Sequence, residues 1–198
     1  MFKIAISGKA KSGKNTAAKI IESKLSEKLG KQVHCAMVAF ADPMKHMIKI
    51  MCPDIANNVL FGPSELRSTL VSNMLDADGN PATVRQLLIE LGSMARKYNE
   101  NTWIDNFHYK FQHDIKDKYD LVILTDCRFK NEFDYLMGQG YHLIRIKRKT
   151  DVVILHESET QQDGIADDKF DFVIDNNGNK AQLIDQVEKI IGKILGEH

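Results

Sequence analysis

Short apolar runs alternate with amphipathic segments along this chain, which predicts an α/β fold. The expected architecture has three layers: a mostly parallel sheet with helices on both faces. Two further observations support this. The most apolar run, Leu121-Val122-Ile123-Leu124, is continuous rather than alternating, as in a strand buried on both faces. The first run, Ile4-Ala5-Ile6, leads through a glycine-bounded loop straight into a helical pattern. With 198 residues the chain can bury a large core, and residues 1–198 are expected to form a single domain.

Residues 2–6 read as the first strand. Residues 14–29 read as a helix with Ala17, Ile20, Ile21, Leu25 and Leu29 on one side, stopped by Gly30. Val33 to Phe40 is the second strand. Pro43 then suits the first turn of a helix whose apolar face is Met44, Met47, Ile48 and Met51. From Cys52 to Pro81 the pattern is poor: Ser64 to Leu75 reads as a short helix, and Asp76 to Pro81 as a loop. Thr83-Val84-Arg85-Gln86 is a capping box opening a helix to about Tyr98, with Leu87, Leu88, Leu91 and Ala95 inward. A further helix spans about residues 102–115, and the strand at 121–124 ends at Thr125-Asp126. The next helix starts near Asn131 and stops near Gly138 and Gly140, before a strand from Tyr141 to Ile146. Residues 147–170 are polar and aperiodic and read as a mobile loop. Phe172-Val173-Ile174 is the last strand. Asn176-Asn177-Gly178 turns into a closing helix carried by Leu183, Ile184, Val187, Ile190, Ile191 and Ile194.

Composition narrows the function classes. Lys+Arg and Asp+Glu both number 27, so the chain lacks the basic excess of a dedicated nucleic-acid binder. Cys35, Cys52 and Cys127 are scattered and odd in number, without metal-ligand spacing or a disulfide framework, which fits a reducing cytoplasm. Lys9, Lys11 and Lys14 interrupt any signal-peptide core, and no apolar run approaches the roughly 20 residues of a membrane-spanning helix. The chain is therefore expected to be cytoplasmic, with no membrane and no nucleic-acid partner.

In parallel sheets ligands bind at the carboxyl ends of the strands. The segments that follow strands here are residues 8–16, Asp42 to Lys45, Asp126 to Arg128, and Lys147-Arg148, and all carry charge. The first, Gly8-Lys9-Ala10-Lys11-Ser12-Gly13-Lys14-Asn15-Thr16, is a Walker A pattern with one departure: Asn15 stands where Ser or Thr is usual. Its glycines let the backbone curl, the following helix favours an anion at its N-terminus, and Lys14 adds a full charge. The plainer reading is a Gly/Lys-rich turn before a surface helix. Asp126 is placed like a Walker B carboxylate near Mg²⁺, and Arg128 could clamp a phosphate, or the two could form a structural ion pair. Arg85 lies in the first turn of its helix, where a cation opposes the dipole, so it either binds an anion or is simply solvated. For Arg67 and Arg96 a surface position is the simpler reading. Trp103, the only tryptophan, could stack on a base or fill a core. His156 and Glu159 are three apart with no third metal ligand nearby, which leaves substrate contact or plain surface. Lys147, Arg148 and Lys149 could neutralise phosphates or form a solvated edge.

Taken in order, these pieces resemble the deoxynucleoside monophosphate kinases of tailed bacteriophages over nearly the whole chain. The matching segments are Ser12-Gly13-Lys14-Asn15-Thr16; Asp42-Pro43-Met44-Lys45; Val84-Arg85-Gln86-Leu87-Leu88 with Leu91-Gly92; Trp103; and Thr125-Asp126-Cys127-Arg128 with Asn131-Glu132. They continue with Gly140, His156-Glu157-Ser158-Glu159, and Asp171 with Asn176-Asn177-Gly178. The resemblance implies a P-loop NTPase fold and transfer of the γ-phosphate of ATP, with Mg²⁺, to a deoxynucleoside 5′-monophosphate. It implies that Lys11, Ser12, Gly13, Lys14, Asn15, Thr16 and Arg148 bind ATP, and that Lys14, Asp126 and Arg128 are catalytic. Asp126 would anchor the metal through water. Lys45, Arg85, Trp103, Asp126, Arg128, Glu132, His156 and Glu159 would serve the acceptor, with Arg67 counted beside them. An acceptor-binding helical region at about 43–115 and a lid at about 148–168 follow from the same likeness, as do a bacteriophage source, action in the host cytoplasm, and a monomer or homodimer. Two departures stand out: Asn15 replaces the family's aspartate, and the lid lacks the arginine pair of adenylate kinases. A transition-state arginine would then come from Arg128, Arg148 or elsewhere. Two other readings stay open, a P-loop kinase of another small phosphorylated metabolite and a non-catalytic ATP-binding module. A GTPase switch is not supported, since Asp126-Cys127-Arg128-Phe129 and Asn179-Lys180-Ala181-Gln182 both miss its signatures.

Overall fold

The computed structural model describes residues 1–149 and 161–197. The chain runs β1 (Phe2–Ser7), α1 (Lys14–Leu29), β2 (Cys35–Val38), α2 (Asp42–Met51), α3 (Asn57–Phe61), β3 (Leu70–Leu75) and β4 (Pro81–Thr83). It continues through α4 (Val84–Tyr98), α5 (Thr102–Lys110), β5 (Leu121–Cys127), α6 (Lys130–Gly138), β6 (His142–Lys147), β7 (Phe172–Asp175) and α7 (Lys180–Ile194). Five strands pair in parallel in the order β2-β5-β1-β6-β7. β1 is central. The chain leaves it for one side of the sheet and, after β5, crosses to the other. The crevice at the carboxyl end of β1 is therefore where a ligand site is expected.

Alternation along each strand assigns the two faces. Ile4 and Ile6 of β1, Leu121 and Ile123 of β5, and Ile144 and Ile146 of β6 point into one core, closed by Ala17, Ile21 and Leu25 of α1 and Leu183, Val187 and Ile191 of α7. The intervening residues meet the opposite layer. Lys3 lies over the rings of Phe111 and Tyr141 at 5.3 and 5.8 Å, and Arg145 over Phe170 at 4.3 Å. Phe107 sits edge-on to Tyr135 and Tyr141. The three-layer α/β fold expected from the sequence is thus present. The helix at 102–115 is found as α5 followed by a π-helical turn, Phe111–Ile115, which buries Phe111 and Ile115.

The backbone divides into two compact units, Met1–Ala39 with Phe107–His198, and Phe40–Asn106. The second has its own core of Ile48, Cys52, Leu60, Val71 and Val84, with Leu87, Leu88 and Leu91 packed against it. The capping box that opens α4 is present: Thr83 Oγ1 accepts from Gln86 N–H, and Gln86 Oε1 from Thr83 N–H. The expected helix from Ser64 to Leu75 is not. A 3-10 turn, Ser64–Ser68, gives way to β3, which pairs antiparallel with β4. The turn between the strands decides this. Asp76 Oδ1 accepts from the N–H groups of Asp78 and Asn80 and folds the chain back, so Val71 is buried as one side of a strand. In α2 the expected apolar face is also rotated: Met47 and Met51 are exposed, while Met44, Lys45 and Ile48 are buried. Residues 161–169 are not featureless loop but two 3-10 turns, Gln161–Gly164 and Asp167–Lys169. Much of the expected lid, with His156 and Glu159, lies outside the described residues. Among the described residues no helix is long and apolar enough to cross a membrane.

Ile123 is fully buried in the central sheet, whereas Ile50 is 80% exposed. Ile123→Ala should therefore cost ~2–5 kcal/mol, and Ile50→Ala should stay within about 0.5 kcal/mol of the parent in urea unfolding.

Candidate phosphate-binding site

The loop between β1 and α1 is shaped by two glycines. A Cβ on Gly8 would come within 2.5 Å of the Ile146 carbonyl oxygen. Gly13 has φ 100°, and a Cβ there would meet Asn176 Nδ2 at 2.4 Å. Between them Lys11 takes a left-handed backbone at φ 62°, and Ser12 N–H donates to the Lys9 carbonyl at 3.1 Å. The first turn of α1 has no side-chain cap and no acidic residue. The positive dipole end of α1 therefore meets no acidic side chain of its own first turn. Lys14 Nζ folds back onto the carbonyls of Gly8 and Lys9, at 2.5 and 2.7 Å. The Lys9 carbonyl is the one that also accepts from Ser12 N–H. Lys9 and Lys11 add charge to the same loop, and Asn15 and Thr16 are exposed on the first turn.

β5 brings Asp126 to the same edge. Ala5 pairs with Leu124, but Ser7 pairs with Cys127, so Thr125 and Asp126 stand opposite the single Ile6. This irregularity breaks the alternation of β5 just before its end. Asp126 is half-buried, next to the end of the strand that opens the phosphate loop. Cys127 is buried, and burial pushes its thiol well above the usual range, so it stays protonated and is no nucleophile. Glu132, 2% exposed, accepts from the N–H groups of Arg128 (2.8 Å) and Phe129 (3.0 Å), fixing the chain between β5 and α6. Arg128 is half-buried, and Arg148 is exposed after β6.

The remaining candidates belong to the second unit. Lys45, 7% exposed, pairs with Asp42 at 2.8 Å and lies over Phe61. Arg85 donates to the Ser64 carbonyl at 2.8 Å, and Arg67 is half-buried in the 3-10 turn beside it. Trp103 is 6% exposed and its indole N–H donates to the Gly92 carbonyl, the arrangement of a satisfied core residue.

Of three supports of the loop, the sequence named Asn176 only as a turn and resemblance residue, and Arg145 and Gln162 not at all. Asn176, at the end of β7, donates Nδ2–H to the Ser12 carbonyl at 2.8 Å and packs on Gly13. Arg145 and Gln162 tie residues 161–170 to the sheet. Arg145 carried a usable signal: it is a lone cation inside the run Leu143-Ile144-Arg145-Ile146, where a charge demands partners.

A buttressed glycine-bounded loop at a helix start, with a carboxylate at the end of the neighbouring strand, makes this an α/β protein with a candidate phosphate loop. The sequence profile of the deoxynucleotide monophosphate kinase family matches residues 60–187, so the chain belongs to that family of nucleotide kinases. The phosphate loop itself precedes the matched residues. A protein of Acanthamoeba polyphaga mimivirus, provisionally named a deoxynucleotide monophosphate kinase, is 27% identical over 200 residues, covering 94% of each chain. Among solved structures, dephospho-CoA kinase from Campylobacter jejuni is similar with a TM-score of 0.48 and 18% identity, over 98% of both chains.

Asp167 accepts from Lys147 at 2.6 Å and from Arg145 at 2.8 Å. Lys147 first and Arg145 second hold its carboxyl below the usual range. A lowered folded pKa stabilises the fold above the unfolded value, and this stabilisation is lost as pH falls through the folded one. The urea midpoint should therefore drop less between neutral and acid pH in Asp167→Asn than in the parent, because the variant no longer has that carboxyl to protonate.

Proposed function

We propose that the protein transfers the γ-phosphate of ATP to a deoxynucleoside 5′-monophosphate, giving ADP and the deoxynucleoside diphosphate. One observation carries this reading: a loop curled between Gly8 and Gly13 at the head of α1, whose first turn carries no acidic residue, in a chain of the deoxynucleotide monophosphate kinase family. The loop N–H groups and the start of α1 would take the donor phosphates. Lys14 would turn from the Gly8 and Lys9 carbonyls to the β- and γ-phosphate oxygens. Lys11 to Thr16, with Arg148, form the donor set. An oxygen of the acceptor phosphate attacks the γ-phosphorus while the bond to the bridging β–γ oxygen breaks, so no covalent enzyme intermediate is needed. Catalysis is then positioning and charge neutralisation. Lys14 and Arg128 supply positive charge to the transferring group. Lys45, Arg67 and Arg85 are the candidate cations for the acceptor within residues 40–106, with Asp126 and Glu132 the candidate acids beyond it. Both substrates are soluble anions, so the reading asks for no membrane and no nucleic acid, and a cytoplasmic monomer or homodimer suffices.

Among the described residues there is no cluster of three or more His, Cys, Asp or Glu suited to a metal. Asp126, Asn15 and Thr16 offer oxygen donors, a hard set that would suit a Mg²⁺ held mainly by nucleotide phosphates and water. When bound, the ion would neutralise phosphoryl oxygens. Asp126 would be its main protein anchor, and Asn15, a neutral amide, a weaker one.

An ADP-release assay across the nucleoside monophosphates tests the reaction. Turnover is expected with at least one deoxynucleotide, and Lys14→Ala should lower kcat by ~10²-fold or more while remaining folded. No turnover with any monophosphate, or a fully active Lys14→Ala, overturns the proposal.

The metal assignment has its own test in a Mg²⁺ titration of rate at fixed ATP. Asp126→Asn should raise the half-maximal Mg²⁺ concentration well beyond the shift from Asn15→Ala. The reverse order would move the anchor to the phosphate loop.

A further inference from the structure

Residues 161–170 form a strap held to β6 by Arg145, with Lys147 adding an ion pair to Asp167. Arg145 stands on β6 opposite Ser7 of β1, and its side chain is only 12% exposed. One guanidinium nitrogen donates to the Ile165 carbonyl at 2.7 Å and to Asp167 Oδ1 at 2.8 Å. The other donates to the Gln162 carbonyl, and the group stacks 4.3 Å from the centroid of Phe170. A planar fork with fixed donor directions can serve these acceptors together, which an ammonium group cannot.

The strap in turn touches the start of the phosphate loop at two points. Gln162, 2% exposed, meets Ser7 Oγ through a long hydrogen bond of 3.5 Å to its Oε1. Asp163 pairs with Lys9 at 3.0 Å. Ser7 and Lys9 flank Gly8, whose Cα faces the Ile146 carbonyl too closely for any side chain. Asn176 holds the far end of the loop through the Ser12 carbonyl. The loop is therefore braced at both ends, and the brace at its start is built from Arg145 through Gln162.

We propose that Arg145 and Gln162 are positioning residues for the phosphate donor: Arg145 fixes the strap, and the strap fixes the backbone of Ser7 to Lys9 in its phosphate-binding curl. Neither residue need touch the nucleotide. A preorganised loop binds phosphate without first being ordered, so loosening its start weakens donor binding more than acceptor binding. This rests on the kinase reading above for the identity of the donor.

The test uses the full chain with Gln162→Leu, which keeps the side-chain volume without the amide, and Arg145→Lys, which keeps the charge without the fork. Each is measured for ATP affinity by calorimetry, for KM of both substrates, and for thermal midpoint. ATP affinity should fall about 5–10-fold in each, the scale of one lost hydrogen bond, with the acceptor KM within about 2-fold of the parent. Unchanged ATP affinity in a folded Gln162→Leu overturns the proposal, as does an equal rise in both KM values. If Arg145→Lys does not fold, Gln162→Leu decides alone, since it removes no charge. A parent protein that binds ATP but phosphorylates no nucleotide refutes the kinase reading without touching the strap. There the calorimetric comparison still decides whether Gln162 positions the loop.

Discussion

The backbone curl between Ser7 and Lys14 is the constraint on which the rest depends. It requires a left-handed Lys11, a Gly13 at φ 100° and a helix start with no side-chain cap. None of these is favourable in isolation, and strained backbone persists only where the surroundings over-determine it. The surroundings here are specific. The Asn176 amide holds the Ser12 carbonyl, the Ile146 carbonyl crowds Gly8, and Lys14 closes the loop from within through two carbonyls. The strand ends of β6 and β7 are therefore parts of the phosphate loop as much as β1 and α1 are.

That dependence explains why a parallel sheet suits this chemistry. Parallel strands deliver all their carboxyl ends to one edge, and the order β2-β5-β1-β6-β7 puts β1 between the strands that must support or serve it. β5 contributes Asp126 from one side, after a two-for-one irregularity opposite Ile6. β6 contributes Arg145 and the Ile146 carbonyl from the other, and β7 contributes Asn176. The hydrophobic layer formed with α1 and α7 fixes the register of these strands, because a one-residue slip would exchange Ile4 and Ile6 for Lys3 and Ala5.

What could be read from the sequence divides along the same physical line. The five strands of the parallel sheet and α1, which Gly30 stops, stand where the pattern puts them, as do α4 and α7, each opened by a capping box. The curled loop between β1 and α1 was legible because its residues are contiguous. Leu70 to Leu75 was misread because apolar spacing in a short segment fits helix and strand alike, and only the Asp76 turn and pairing with β4 choose between them. The inward turn of Lys45 was equally hidden, since it depends on Asp42 and the Phe61 ring rather than on helix period. Asn176 could be seen as a turn residue but not as a brace, because its partner Ser12 is 164 positions away. Trp103 was left between base-stacking and core, and its bond to the Gly92 carbonyl gives it a structural duty.

Arg145 sharpens the distinction between stability and shape. A cation inside a sheet must be desolvated, and a buried ion pair often contributes no more than a well-packed apolar residue of similar size. On stability alone, a leucine or methionine would serve this position of β6 about as well. What an apolar side chain cannot do is hold the carbonyls of Gln162 and Ile165 and the carboxylate of Asp167 in fixed directions, because dispersion contacts are not directional. Without those directions residues 161–170 could still cover the apolar surface around Phe170, but in many arrangements, and Gln162 would meet Ser7 in few of them. The guanidinium thus selects one placement of the strap among several of similar energy. That selection, more than any gain in stability, is what a phosphate loop needs if its backbone is to stand in place before the nucleotide arrives.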